Sequence, residues 1–163
     1  MPGEYILTFP GAYHSGFSTG LNIGEAVNFV SKSWFDYGFK CQEIYRKSRE
    51  KIPVFPMEWV IVENIRNLET INVDAQTKLK LRDHFRRIVR EEKKSRETVE
   101  KAHKTMPEYA NMTFKLMERR DEVPEDAHQC FYCTDFAYMS MVHCKHHKIN
   151  YCLYHLGMCE CKN

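Results

Sequence analysis

CFYCTDFAYMSMVHCKHHKINYCLYHLGMCEC, residues 130–161, is the stretch on which the reading of the whole chain turns. Six of the seven cysteines lie in it, interspersed with His143, His146, His147 and His155. It holds too few aliphatic side chains to build a core alone, and small units of that kind depend on staples. Disulfides would suit a secreted chain, but Met1-Pro2-Gly3 leads straight into a strand-like run and not into a signal peptide. No apolar stretch approaches the ~18–20 residues of a membrane span. Cys-x-x-Cys, Cys-x-x-His and Cys-x-Cys pairs mixed with histidine point to zinc, and so to a compartment that keeps thiols reduced.

Structural zinc takes four ligands in a tetrahedron, so the ligand count gives two ions. Cys130-x-x-Cys133, Cys152-x-x-His155, Cys159-x-Cys161 and Cys144-x-His146 are the half-sites. Interleaved pairing places Cys130, Cys133, Cys152 and His155 on one ion, and Cys144, His146, Cys159 and Cys161 on the other. His143 or His147 can substitute for His146; otherwise both are expected to be solvated side chains of a basic loop. Two such sites are closed and leave no position for a substrate.

With 163 residues, 43% hydrophobic and 28% charged, the chain has room for one or two small domains and lacks the composition of a disordered protein. A net charge of +2 carries no global signature of nucleic-acid binding. Arg82, Arg86, Arg87 and Arg90 do cluster locally.

At the other end, Glu4 to Phe9 is rich in β-formers and stops at Pro10-Gly11, which predicts a strand and a turn. Leu21, Ile23, Glu25, Val27 and Phe29 alternate in a second strand-like run. Two such strands have no core of their own, so a partner or further chain is expected. Glu25 needs a hydrogen-bond partner if it is buried.

GEYILTFPGAYHSGFSTGLNIGEAVNFV, residues 3–30, resembles the closing strands of the JmjC domain, above all that of the lysine-specific demethylase 5 family. The resemblance rests on Phe9-Pro10, Ala12 to Phe17 and Glu25 to Phe29. The cysteine-rich stretch and its lead-in, Val123 to Cys130, are similar to the C5HC2-type zinc finger that follows JmjC in that family, with His146 standing where relatives more often have cysteine.

This resemblance implies that His14 is the last ligand of an Fe(II) centre built from two histidines and a carboxylate, with positions open to 2-oxoglutarate and oxygen. The other iron ligands and the lysine that binds 2-oxoglutarate would lie upstream, outside this sequence. Ser18 falls near the cosubstrate, where relatives often have asparagine. Ala26, Val27 and Asn28 match positions lining the methyl-lysine pocket, although barrel packing alone would account for Ala26 and Val27.

Between the two motifs the pattern is helical. Ser31 or Ser33 is placed to cap a helix reaching about Arg49, with Glu43 and Lys47 spaced to pair. Pro53 and Pro56 break it. Met57 to Ile65 reads as a short helix, though Val60, Ile61 and Val62 also allow a strand. Asp74 can cap a long helix to about Lys104, with Leu81, Phe85, Ile88 and Val89 on one face. Tyr109 to Met117 is a short apolar-spaced segment and Asp121 to Asp126 an acidic linker. Cys41 lies outside the cysteine cluster and is read as a buried or partly exposed structural residue, not a ligand or nucleophile.

The expected architecture is an α+β fragment: the last strands of a JmjC double-stranded β-helix barrel (1–33), a mainly helical domain (34–122) and a small double-zinc finger (123–163). By resemblance, the complete protein is a nuclear Fe(II)/2-oxoglutarate-dependent demethylase acting on chromatin at the histone H3 tail, with methylated lysine 4 as the expected target. Nucleosomal DNA is a further candidate contact for the four arginines, and no membrane is involved. The alternatives are a non-catalytic zinc module that binds chromatin or a protein partner, and a truncated product with no function of its own.

Overall fold

A computed structural model describes residues 3–109, 112–116 and 128–160. Residues 3–34 contain neither helix nor strand. The Pro10-Gly11 turn is present: Ala12 N–H donates to the Phe9 carbonyl at 3.1 Å, and Gly11 has φ 74°. The strands expected over 4–9 and 21–29 are not, because a strand exists only through the ladder it shares with a neighbour. The only sheet among the described residues lies elsewhere in the chain. Tyr5, Ile6, Tyr13, Phe17 and Ile23 are consequently all more than nine-tenths exposed.

Three helices follow: α1 Phe35–Ser48, α2 Met57–Arg66 and α3 Ala75–Thr105. In α1, Phe35, Gly38, Phe39 and Gln42 make the buried face. The expected serine cap does not form. Trp34 occupies the cap position without a side-chain bond, while the Ser31 and Ser33 hydroxyls hydrogen-bond each other at 3.0 Å. Arg49 ends the helix in the left-handed region, φ 56°, with its N–H on the Tyr45 carbonyl. Glu43 reaches across to Arg87 on α3, 3.7 Å away.

The Val60-Ile61-Val62 run is helical, because Met57, Val60 and Ile61 share one side of α2 and bury it together. Asp74 caps α3 by accepting the Thr77 N–H at 2.9 Å and the Thr77 hydroxyl at 3.0 Å. Its carboxyl is held well below its ordinary range by the backbone bond from Thr77 and the side-chain bond from Lys32.

At 31 residues, α3 runs about 46 Å and connects two cores. Its first half sends Leu81 and Ile88 into a cluster with Phe35, Phe39, Met57, Val60, Ile61 and Leu68. Its last turns send Val99 into a second cluster with Met112, Val142, Leu153 and Leu156. That second core roofs an antiparallel sheet of β1 Met112–Leu116, β2 Ser140–Cys144 and β3 Ile149–Cys152, in that order. Met112 pairs with Cys144 and Val142 with Tyr151. Strand β1 falls within the Tyr109 to Met117 segment, so the sheet takes its edge from chain N-terminal to the cysteine stretch. The acidic linker and the start of the finger lead-in lie outside the described residues. No helix among the described residues is long and apolar enough to cross a membrane.

Candidate metal centres

The Cys130–Cys133 turn, the end of β3 and the 3₁₀ segment Leu153–Met158 converge on one point. Cys130, Cys133, Cys152 and His155 bring their ligand atoms within 4.8 Å of one another. Cys133 Sγ lies 3.9 Å from Cys152 Sγ, and His155 Nδ1 lies 3.1 Å from Cys152 Sγ and 3.9 Å from Cys130 Sγ. The three sulfurs are buried and the imidazole half-buried.

Hydrogen bonding from Cys133, then from Cys152, holds the Cys130 thiol far below its ordinary range. The bond with Cys130 in turn pushes Cys133 up to about 11, and Cys152 is driven up by the same neighbour. Three sulfurs packed this closely resist becoming thiolates together unless a cation joins them. Three sulfurs and an imidazole gathered this closely are the donor set of structural zinc, so the residues fit that ion.

A second group collects Cys144, His147 and Cys159 within 4.8 Å. His147 Nδ1 lies 3.6 Å from each sulfur, and the His147 N–H donates to Cys144 Sγ at 3.4 Å. The structure therefore brings His147, not His146, to this cluster. The reason is local: the turn after β2 closes with Lys148 at φ 59° and its N–H on the Cys144 carbonyl. That turn folds the third residue after Cys144 back over its sulfur. The His146 ring stands edge-on to the His147 ring, centroids 4.8 Å apart. Nor is His143 simply solvated, since its Nδ1 pairs with Asn150 Oδ1 across the β2–β3 ladder at 2.9 Å. Cys161 lies outside the described residues.

His14 belongs to neither group. It is exposed, with Nδ1 3.4 Å from the Ala12 carbonyl oxygen. A single imidazole does not make an iron site, so the groups gathered among the described residues do not fit Fe(II) by themselves. Ser18 accepts a hydrogen bond from Asn22 at 2.6 Å and is exposed, as are Ala26, Val27 and Asn28. Of these, Asn28 borders a cavity of about 250 Å³ beside Phe29, Trp34 and Cys41, and His14 is not among the residues lining it. Cys41 is exposed.

A charged seam beside the first group went unread in the sequence. Asp135, two residues beyond Cys133, is 1% exposed and accepts from Arg46 Nε at 2.5 Å. Arg46 also donates to Glu58 at 3.1 Å, and Gln42 donates to both Glu58 oxygens at 2.9 and 3.0 Å. Burial works against the Arg46 charge, but Glu58 and Asp135 together hold the guanidinium above its ordinary value. Burial also raises the Glu58 carboxyl, and Arg46 only partly offsets it. The available signal was the spacing of Phe35, Phe39, Gln42 and Arg46, which puts two polar groups on the apolar face of α1.

A family model described as JmjC domain, hydroxylase, matches residues 1–29. Lysine-specific demethylase 5B of Gallus gallus is 33% identical over 98% of the chain. Lysine-specific demethylase 5D of Homo sapiens is 32% identical over 99%, and lysine-specific demethylase rbr-2 of Caenorhabditis briggsae 27% identical over 94%. The chain spans about a tenth of the length of these curated relatives.

Proposed function

We propose, for a chain that resembles the C-terminal JmjC, helical and cysteine-rich part of lysine-specific demethylase 5 proteins along nearly its whole length, that it serves as that part of a histone lysine demethylase. The observation that carries the reading is order: a JmjC match containing His14 stands ahead of the helices and the cysteine module, and the relatives align through all of them. In the complete protein, His14 would supply one imidazole to Fe(II), and upstream residues would supply the remaining ligands and hold 2-oxoglutarate. Iron held there would supply oxygen activation, with one oxygen atom going to 2-oxoglutarate as it becomes succinate and carbon dioxide and the other to the N-methyl group, which would leave as formaldehyde. Ser18 is assigned to the cosubstrate side, and Ala26, Val27 and Asn28 to the methyl-lysine pocket, on strands that form when the rest of the barrel lies beside them.

Cys130, Cys133, Cys152 and His155 hold one structural zinc. Cys144, His147 and Cys159, with Cys161 as the fourth donor, hold the other. The expected substrate is methylated lysine 4 of the histone H3 tail, and the expected location is the nucleus.

The test uses the complete protein that carries this chain and a trimethylated H3 peptide, read by mass spectrometry and formaldehyde release. His14→Ala should abolish both readouts while zinc analysis returns the wild-type content. Retained demethylation with His14→Ala would end the assignment. A second reading, a non-catalytic zinc module that binds chromatin or a protein partner, is supported by the two cysteine and histidine groups gathered among the described residues. Bound zinc with no iron and no demethylation in the complete protein would select it.

A further inference from the structure

The last turn of α1 touches the first cysteine group at several places, each within a few residues of a candidate ligand. Arg46 is bonded to Asp135, and its guanidinium also lies over the Tyr154 ring, 4.8 Å from the centroid. One turn on, Arg49 lies over the Tyr132 ring at 4.4 Å, and that ring packs against the His155 imidazole at 4.8 Å. Thr134 Oγ1 reaches the Lys51 carbonyl at 3.4 Å.

Asp135 has this position only because the Cys130–Cys133 turn is closed. Thr134 sits at φ 59° with its N–H on the Cys130 carbonyl, and the Cys130 N–H returns to the Asp135 carbonyl at 2.9 Å. A cation held by Cys130 and Cys133 would tie the two ends of this turn to Cys152 and His155, and without it only the backbone bonds hold the turn. Opening the turn would withdraw Asp135 and leave the Arg46–Glu58 pair with one carboxylate fewer in a buried place.

We propose that the first metal group is a latch: zinc bound there keeps the C-terminal turn of α1 docked on the cysteine-rich module, and its loss frees that turn. The proposal rests on the zinc reading of Cys130, Cys133, Cys152 and His155. By linkage the coupling runs both ways, so anything that undocks Arg46 weakens zinc at this group by the same factor. The second group has no part in it, because the contacts from α1 run to residues 132–135 and 154.

The experiment uses the full zinc-loaded chain. Hydrogen exchange followed by mass spectrometry is read over residues 42–52 with zinc present, after chelation, and in Cys144→Ser, which disables only the second group. Chelation should speed exchange there about tenfold or more, within the range usual for coupled sites, and Cys144→Ser should leave it unchanged. Asp135→Asn and Arg46→Met should bind one of the two ions about tenfold more weakly in an equilibrium competition with a colorimetric chelator and the other with wild-type affinity. If chelation unfolds the whole chain, the affinities decide. Equal zinc affinities in wild type and both variants would overturn the latch, as would unchanged protection of 42–52 in a folded, zinc-free chain. Absence of zinc from the first group in wild type would instead overturn the zinc reading.

Discussion

Gly38→Ala sets helix propensity directly against packing. In an isolated helix the change would stabilise by about 1 kcal/mol, since glycine gives up more backbone freedom than alanine. In α1 the new Cβ would lie 2.6 Å from two ring carbons of Trp34 and 2.8 Å from Met57 Sδ, against a carbon–carbon optimum of about 3.5–4.0 Å. The thioether of Met57 can swing aside. The indole has less freedom, because it also packs against Phe55 with centroids 5.5 Å apart. Overpacking of this kind costs about 1–3 kcal/mol, and two contacts this short place Gly38 in the upper half of that range. After the propensity gain, a net loss of about 1–2 kcal/mol is expected. Urea titration of the zinc-loaded chain, followed by circular dichroism, should show a lower midpoint at unchanged slope. Gly20→Ala, whose Cβ meets nothing within 4 Å, should shift stability by less than about 0.5 kcal/mol. Trp34→Leu combined with Gly38→Ala should recover part of the loss, because neighbouring residues do not add. A Gly38→Ala chain as stable as wild type would refute the packing argument.

Further outcomes follow from single residues. His147→Ala should lower bound zinc from two ions toward about one, whereas His146→Ala should leave it unchanged, read by plasma emission on dialysed protein; the reverse pattern would return the site to His146. The Asp74 carboxyl is depressed below its ordinary value of 3.8, so its contribution is present above that pH and is lost as pH falls through the lower folded value. Asp74→Ala should therefore be less stable than wild type near neutrality, and the gap should close below about pH 4. A gap independent of pH would assign the cap's contribution to something other than its charge.

Features set by short-range chemistry were legible in the amino-acid sequence: Asp74 at the head of α3, the proline breaks before α2, the Pro10-Gly11 turn, and the spacings of Cys130 with Cys133 and of Cys152 with His155. Each depends on a few consecutive residues whose backbone geometry brings the groups together wherever the segment lies. What depends on distant chain was not legible. Whether residues 4–9 and 21–29 become strands is a property of the strands beside them, and alternation cannot supply a partner. His146 and His147 are adjacent in a loop, and only the closure of the β2–β3 turn decides which ring meets Cys144 and Cys159. Asp135 looks like any polar residue after a cysteine pair. Its charge matters because tertiary packing buries it against Arg46, a residue 89 positions earlier in the chain.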